Sequence, residues 1–176
     1  DANDPDLLSH QLFCLNYLPD SAPAEMTAIA RQYGDAIRAN LAPFDTWQCP
    51  ADPERKLRIG MVSGDLRRHP VGYLLRGPLR EIGKSDFEIF AYSNFPLEDD
   101  LSGELRQQCA GWSNVSEKSD AELARQIHDD RIDILLDLSG HTDYSRLAVF
   151  ARKPAPVQVT WLGYFATTGV REIDWK

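Results

Sequence analysis

The chain has few cysteines, and they are not arranged as a metal site or a disulfide framework. Its three cysteines, Cys14, Cys49 and Cys109, are widely spaced, and no C-x-x-C pair occurs. The sequence therefore predicts neither a structural zinc site nor a set of disulfides. Scattered free cysteines are typical of a reducing compartment, and we expect a cytoplasmic protein.

Long apolar runs and long basic runs are also missing. No stretch is apolar enough to cross a bilayer, and no secretory signal is visible. The longest basic run is Arg67-Arg68, and the formal net charge is −8. Because nucleic-acid binding needs clustered lysine and arginine to neutralise phosphates, we expect neither a nucleic-acid partner nor a membrane partner.

The composition is that of an ordinary globular protein, and the first 56 residues divide into a helical segment and a linker. It has 176 residues, 43% of them hydrophobic and 26% charged, which suggests one domain with or without an appendage. Residues 1–45 have apolar residues at helical spacing, interrupted at Leu18-Pro19-Asp20, and Ser21 is the predicted N-cap of a second helix. Residues 46–56, with two prolines, read as a linker.

From residue 57 onward, strand patterns alternate with helix patterns. We predict strands near 57–63, 87–92, 111–115, 132–138 and 157–162, and helices over 70–83, 99–109 and 119–129, with a short one ending at Phe150. This alternation predicts an α/β fold with a parallel, Rossmann-like sheet and right-handed crossovers. The first strand is not followed by G-x-G-x-x-G, which disfavours a dinucleotide oxidoreductase.

The first strand leads into a turn with a histidine. Gly64-Asp65 breaks the strand, and Pro70 suits the first position of a helix, which places His69 near the N-cap. Ligands of open α/β sheets bind at this carboxyl edge, and histidine exchanges a proton near neutral pH. His69 is therefore either a residue that merely starts a helix or part of a site.

Three loops leave this edge with small, polar and histidine residues. They are Ser63, Gly64, Asp65 and His69; Gly140, His141, Thr142 and Asp143; and Gly163, Tyr164, Thr167, Thr168 and Gly169. Together they describe half of a ligand cleft, in which helix N-termini favour anions and the two histidines accept protons or donate hydrogen bonds. The simpler alternatives are that Thr142 or Asp143 caps the next helix and that 167–169 is an ordinary turn. A metal site is disfavoured because no third ligand has fitting spacing.

The motifs in these loops resemble a known family. They are Leu57-Arg58-Ile59-Gly60 with Ser63-x-Asp65 and His69-Pro70, then Asp133-Ile134-Leu135 with Gly140-His141-Thr142, then the run from Arg152 to Tyr164 with Thr167-Thr168-Gly169. They are similar to those of the protein O-GlcNAc transferases and SPINDLY-type proteins. The run from Leu12 to Pro19 also resembles that family's helical joint to its tetratricopeptide repeats.

The resemblance implies a fold, a reaction and a set of site residues. The fold is GT-B, two Rossmann-like halves across a cleft, of which residues 57–176 would be the N-terminal catalytic half. The reaction is an inverting, metal-independent transfer from a nucleotide sugar, here UDP-GlcNAc, to Ser or Thr hydroxyls of a protein or peptide acceptor, with no further cofactor. His69 would line the sugar site and be needed for activity, Gly163, Tyr164 and the following turn would line the donor pocket, and Arg146 would lie on the acceptor side.

The chain also departs from the family's pattern. Phe165 stands where the family often has proline, and no histidine lies between His10 and His69 to match the family's second cleft histidine, so His10 is the weak candidate for that role. The sequence ends before the half expected to bind the nucleotide, so we expect the isolated chain to be inactive. Two alternatives stay open: a SPINDLY-type fucosyltransferase that uses GDP-fucose, and a non-enzymatic module that binds a ligand or peptide.

Overall fold

Two helices precede the sheet in the computed structural model, which describes residues 3–82 and 86–176. Helix α1 is Pro5–Leu15 and helix α2 is Pro23–Arg38. The predicted N-cap of α2 is wrong, because Pro23 takes the first helical position and makes Ala22 the N-cap. The Ser21 hydroxyl instead donates to the carbonyl of Leu15 and closes the turn between the helices.

A five-stranded parallel sheet confirms the predicted Rossmann-like α/β fold. Its strands are β1 (Leu57–Ser63), β2 (Phe87–Ser93), β3 (Gly111–Asn114), β4 (Ile134–Asp137) and β5 (Val157–Thr160). The spatial order is β3-β2-β1-β4-β5, and every pairing is parallel. Strand β1 therefore lies at the centre between β2 and β4, and the chain reverses its direction of travel across the sheet there.

The helices that connect the strands begin close to where the sequence predicts them. They are α3 (Pro70–Ile82), α4 (Asp100–Arg106), α5 (Asp120–Asp129) and α6 (Leu147–Phe150). Pro70 opens α3 as expected, while the predicted end of that helix at Gly83 lies outside the described residues. Ser119 and Glu122 form the expected capping box of α5. Helix α6 begins only after Arg146, so neither Thr142 nor Asp143 caps it.

Helices α1 and α2 pack in the same hydrophobic core as one face of the sheet. Leu8 and Tyr33 belong to one buried cluster with Leu147 and Phe150, and a second cluster lies beneath α3 and α4. Burial of these apolar side chains is the main term that holds the helices on the sheet. No helix in the described part of the chain has the length and apolar character needed to span a bilayer.

The contact between α2 and the last loop is made backbone to backbone. A Cβ atom added at Gly34 would lie 2.1 Å from the carbonyl oxygen of Gly169, and one added at Gly169 would lie 1.8 Å from that of Ala30. Gly169 also has a φ of +74°, which side-chain-bearing residues rarely adopt. The two glycines therefore allow the loop after β5 to approach α2 as closely as it does.

Candidate functional site

A cleft of about 330 Å³ opens where β1 and β4 end side by side. This is the point at which the strand order reverses, the usual ligand position in open parallel sheets. Its walls come from α1, from the loop after β1, from the loop after β4 and from Gly163. The lining residues are Ser9, His10, Phe13, Asp65, Arg67, His69, His141, Thr142, Asp143, Tyr144 and Gly163.

His69 lies in this cleft at the start of α3. Its carbonyl accepts the first helical hydrogen bond, from Tyr73 at 3.0 Å, which confirms its place at the N-cap. The Val71 N–H donates to its Nδ1 at 3.3 Å, and the side chain is 37% exposed. A ring nitrogen that accepts an N–H bond carries no proton, so this contact assigns the neutral ring as the Nε2–H form. His69 can therefore offer a hydrogen-bond donor to a ligand.

Asp65 is the buried carboxylate beside His69. Its Oδ1 lies 3.6 Å from His69 Nδ1 and 3.7 Å from an Arg67 nitrogen. Burial raises the pKa of Asp65, against the lowering effects of His69 and Arg67. Arg67 is held in turn by the carbonyl of Gly64 and by the face of Phe95, 4.1 Å from its guanidinium carbon. The loop after β1 thus places a cation, a carboxylate and an imidazole at one wall of the cleft.

His141 lines the cleft, but both of its ring nitrogens are used inside the protein. Nε2 donates to the carbonyl of Thr168 at 3.0 Å, because a carbonyl only accepts, and Ser9 then donates to Nδ1 at 2.9 Å. Burial lowers the pKa of His141 to about 4. The proton-acceptor role considered for His141 is therefore not what this geometry favours. The ring joins α1 to the loops after β4 and β5.

Gly140, Thr142, Gly163 and Tyr164 build the floor around His141. Gly140 has a φ of +55°, and a Cβ there would lie 2.3 Å from that of Tyr164. The Tyr164 hydroxyl accepts from Asn16 at 2.9 Å, and its ring meets His141 edge to face. The Thr142 hydroxyl donates to the carbonyl of Ser139 at 2.8 Å, which shapes the turn. The loops after β4 and β5 are thus packed together and tied to α1.

Arg146, Thr167 and Thr168 lie outside the cleft that contains His69. Thr167 and Thr168 line a separate hollow with Trp175, and only the Thr168 carbonyl reaches the site, through His141. Arg146 lines a neighbouring cavity of about 450 Å³ that shares Ser9, His10, Thr142, Asp143 and Tyr144 with the first. Its guanidinium bonds the side chains of Asp120 and Asn94 and the carbonyls of Val115 and Lys118, all within 3.3 Å. Arg146 therefore braces the ends of β2, β3 and α5.

Helix α1 brings the weak candidate His10 into the cleft opposite the two sheet loops. Ser9, Phe13 and Arg67 also line the cleft, and sequence reasoning missed them as site residues. The periodicity of α1 marks its apolar face but contains no signal for where the helix docks. In the sequence Arg67 is part of the basic pair Arg67-Arg68, and nothing in that pair indicates which of the two arginines lines the cleft.

Asp137 is a further residue that sequence reasoning passed over. It is buried at the end of β4, where it accepts from the hydroxyl of Thr160 and from the backbone N–H groups of Ser139 and Gly140. Burial raises its pKa, and these hydrogen bonds lower it. A carboxylate within the apolar run of the predicted strand 132–138 was a usable signal. Within residues 3–82 and 86–176, no three or more His, Cys, Asp or Glu side chains are grouped to hold a metal.

A fold of this topology, with a polar cleft at its switch point, belongs to the class of Rossmann-like ligand-binding domains. The model of glycosyl transferase family 41 matches residues 37–176, and the chain belongs to that family.

Several known proteins are similar to nearly the whole chain. A probable UDP-N-acetylglucosamine–peptide N-acetylglucosaminyltransferase SPINDLY of Petunia hybrida is 30% identical over 98% of the chain, and that of Eustoma exaltatum subsp. russellianum is 31% identical over the same share. The solved structure of a mutant Thermobaculum terrenum O-GlcNAc transferase covers 97% of the chain, with a TM-score of 0.90 and 40% identity. The chain spans 19% of the length of these curated relatives and 33% of the solved chain.

Proposed function

We propose that the chain forms part of a protein O-glycosyltransferase that transfers GlcNAc from UDP-GlcNAc to Ser or Thr hydroxyls. The observation that carries the proposal is the cleft at the β1–β4 switch point, lined by His10 and His69, in a family 41 chain. The names of the relatives, peptide N-acetylglucosaminyltransferase and O-GlcNAc transferase, support the same reaction.

In this proposal the transfer inverts the anomeric centre and needs no metal. The acceptor oxygen forms a bond to the anomeric carbon as the bond to UDP breaks, and the hydroxyl proton leaves for a base. The Nε2–H form of His69 suits a hydrogen-bond donor to the sugar or to an oxygen that gains negative charge. His10 and Gly163 line the same cleft and would contact the substrates.

We further propose that a second, nucleotide-binding half completes the cleft. One Rossmann-like unit supplies one wall, and the chain covers only a third of the solved O-GlcNAc transferase chain. On this view residues 1–45 join upstream tetratricopeptide repeats, residues 46–56 are a linker, and residues 57–176 are the N-terminal catalytic half. The isolated chain would then fold without transferring sugar.

GDP-fucose is the second candidate donor. SPINDLY-type relatives match over 98% of the chain, whereas an Arabidopsis thaliana relative named SEC matches over 69%. The motifs Gly140-His141-Thr142 and Val157–Trp161 also resemble the SPINDLY type. Donor choice would rest mainly on the nucleotide-binding half.

A donor panel tests the proposal. The protein that carries residues 1–176 within a complete catalytic region is incubated with a Ser/Thr peptide and either UDP-GlcNAc or GDP-fucose, and glycopeptide is detected by mass spectrometry. Transfer from UDP-GlcNAc supports the main proposal, and transfer from GDP-fucose alone replaces it with the second candidate. Peptide binding without transfer from either donor would favour a non-enzymatic module. Turnover by residues 1–176 alone would contradict the need for a second half.

A further inference from the structure

A basic concavity lies at the opposite edge of the sheet from the cleft. It has a volume of about 250 Å³ and is lined by Pro50, Arg55, Lys56, Arg58, Glu88 and Arg131. Four of its six lining residues are cations, in a chain whose formal net charge is −8. Such a concentration of like charge is unfavourable by itself, and it calls for anionic partners.

Carboxylates within the protein satisfy two of the four cations. Arg55 makes a two-pronged ion pair with Asp133 at 2.5 and 2.7 Å, and Arg58 binds Glu88 at 3.1 Å. A further Arg58 nitrogen donates to the carbonyl of Asp130 at 2.9 Å. These bonds hold the two guanidinium groups in place and compensate their charges.

The charges of Lys56 and Arg131 have no such partner. Both side chains are exposed, and within the described ranges neither makes a hydrogen bond or an ion pair. Within the described ranges, Nη2 of Arg58 makes no hydrogen bond, while Nε and Nη1 of the same guanidinium do. The concavity therefore contains two uncompensated positive charges beside a preorganised third donor.

Arg131 has a left-handed backbone conformation, which favours glycine over arginine. Its φ is +56°, and it directly follows the C-cap Asp130 of α5. Arg131 N–H bonds the carbonyl of His128, and Ile132 N–H that of Ile127, the pattern of a helix end that usually takes glycine. An arginine here gives up stability and places a cation at the concavity.

We propose that this concavity binds a phosphate group, either inorganic phosphate or the phosphate of a small monoester. A doubly charged phosphate matches the two free cations, and its oxygens accept from Lys56, Arg131 and the remaining Arg58 nitrogen. The volume is at the small end of ligand pockets and suits a compact ligand. The site is separate from the cleft, and it stands whether or not the proposed glycosyl transfer is correct.

The test is an NMR titration of the chain with inorganic phosphate and, in a second arm, phenyl phosphate. We expect saturable shifts of the backbone amides at 55–58 and 131, weakened by added NaCl. Tighter binding in the second arm identifies a monoester site, and equal or weaker binding identifies a site for free phosphate.

Three variants sharpen the test. Lys56→Gln and Arg131→Gly should each weaken binding about tenfold, the loss of one charge-assisted hydrogen bond. Arg131→Gly should also keep or raise Tm, because glycine adopts the left-handed conformation freely, so its loss of binding cannot be ascribed to unfolding. Arg125→Gln removes an exposed positive charge from α5 and should leave affinity unchanged. Shifts that do not saturate in either arm, or equal weakening by Arg125→Gln, would overturn the proposal.

Discussion

The hydroxyl of Ser9 donates a hydrogen bond to Nδ1 of His141 at 2.9 Å, joining residues that are 132 positions apart. This bond fastens the first helix to the loop after β4. It also brings His10, the next residue of α1, to the wall of the cleft that faces His69.

Replacing Ser9 with alanine should therefore weaken the fold. The variant leaves the buried Nδ1 of His141 without a donor, which costs about 1–2 kcal/mol. Urea unfolding followed by circular dichroism measures the loss. Ser116→Ala removes a hydroxyl that bonds Asn114 at the surface, and should change the free energy of unfolding by less than about 0.5 kcal/mol. Equal effects of the two substitutions would argue against the role of Ser9.

The burial of His141 predicts a dependence of stability on pH. Burial lowers its pKa in the folded chain from the ordinary 6.5 to about 4. Between these values the unfolded chain binds a proton that the folded chain does not, so acidification favours unfolding. His141 makes its full contribution to the free energy of unfolding above pH 6.5. That contribution falls by on the order of 3 kcal/mol as the pH drops towards 4.

The comparison variant for this pH dependence is His141→Gln. Asp65 and Asp137 have raised pKa values and act in the opposite direction near pH 4, so the quantity to measure is the difference between wild type and variant. That difference should shrink as the pH falls from 6.5 to 4. A difference that stays constant across this range would show that His141 is not buried in its neutral form.

We expect Arg146 to stabilise the folded chain. Arg146→Ala leaves the carboxylate of Asp120 and the carbonyl of Lys118 without their donor and removes one of two donors to the carbonyl of Val115, which costs about 2–4 kcal/mol. Denaturant unfolding measures this loss, with Arg125→Ala as the control on an exposed helix position. Unchanged stability in Arg146→Ala would instead leave its guanidinium free for the acceptor-side role.

Glycine is required at position 140 because of its positive φ and because Tyr164 leaves no room for a Cβ atom. Gly140→Ala forces a side chain onto a φ of +55° and against Tyr164, at a cost of about 2 kcal/mol. Gly103→Ala, inside α4 with open space around it, should be neutral or stabilising by up to about 1 kcal/mol. Thermal melts should therefore show a lower Tm for Gly140→Ala and an unchanged or higher Tm for Gly103→Ala, and a lower Tm for both variants would contradict this account.

His69 should matter for catalysis and little for stability. In the complete catalytic region, His69→Ala should lower sugar transfer at least about 100-fold while leaving Tm nearly unchanged, because the side chain is partly exposed. His69→Gln distinguishes the two chemical roles. If His69 donates a hydrogen bond from Nε2, glutamine restores part of the rate, and if it is a base, glutamine is as inactive as alanine. Full activity of His69→Ala would remove His69 from the site.

The strands and helices were predictable because their signals are local. The apolar run of β4 and the capping box at Ser119 act over a few residues, so the sequence predicts α5 at nearly its observed bounds and places β4 correctly but three residues too long. The N-cap of α2 was mispredicted, since Pro23 and the turn from α1 outweigh the preference of serine for that position. The roles predicted for individual site residues remain predictions until the variants above are measured.

The sequence by itself determined the alternation of strands and helices, and with it the edge of the sheet at which the polar loops meet. Only the tertiary structure decided what each polar side chain does there. His69 is left partly exposed in the cleft, whereas His141 is enclosed between Ser9 and Thr168. The physical reason is that local propensity depends on neighbours in the chain, while the burial and bonding of a side chain depend on segments distant in the sequence, 132 residues away for Ser9 and 27 for Thr168.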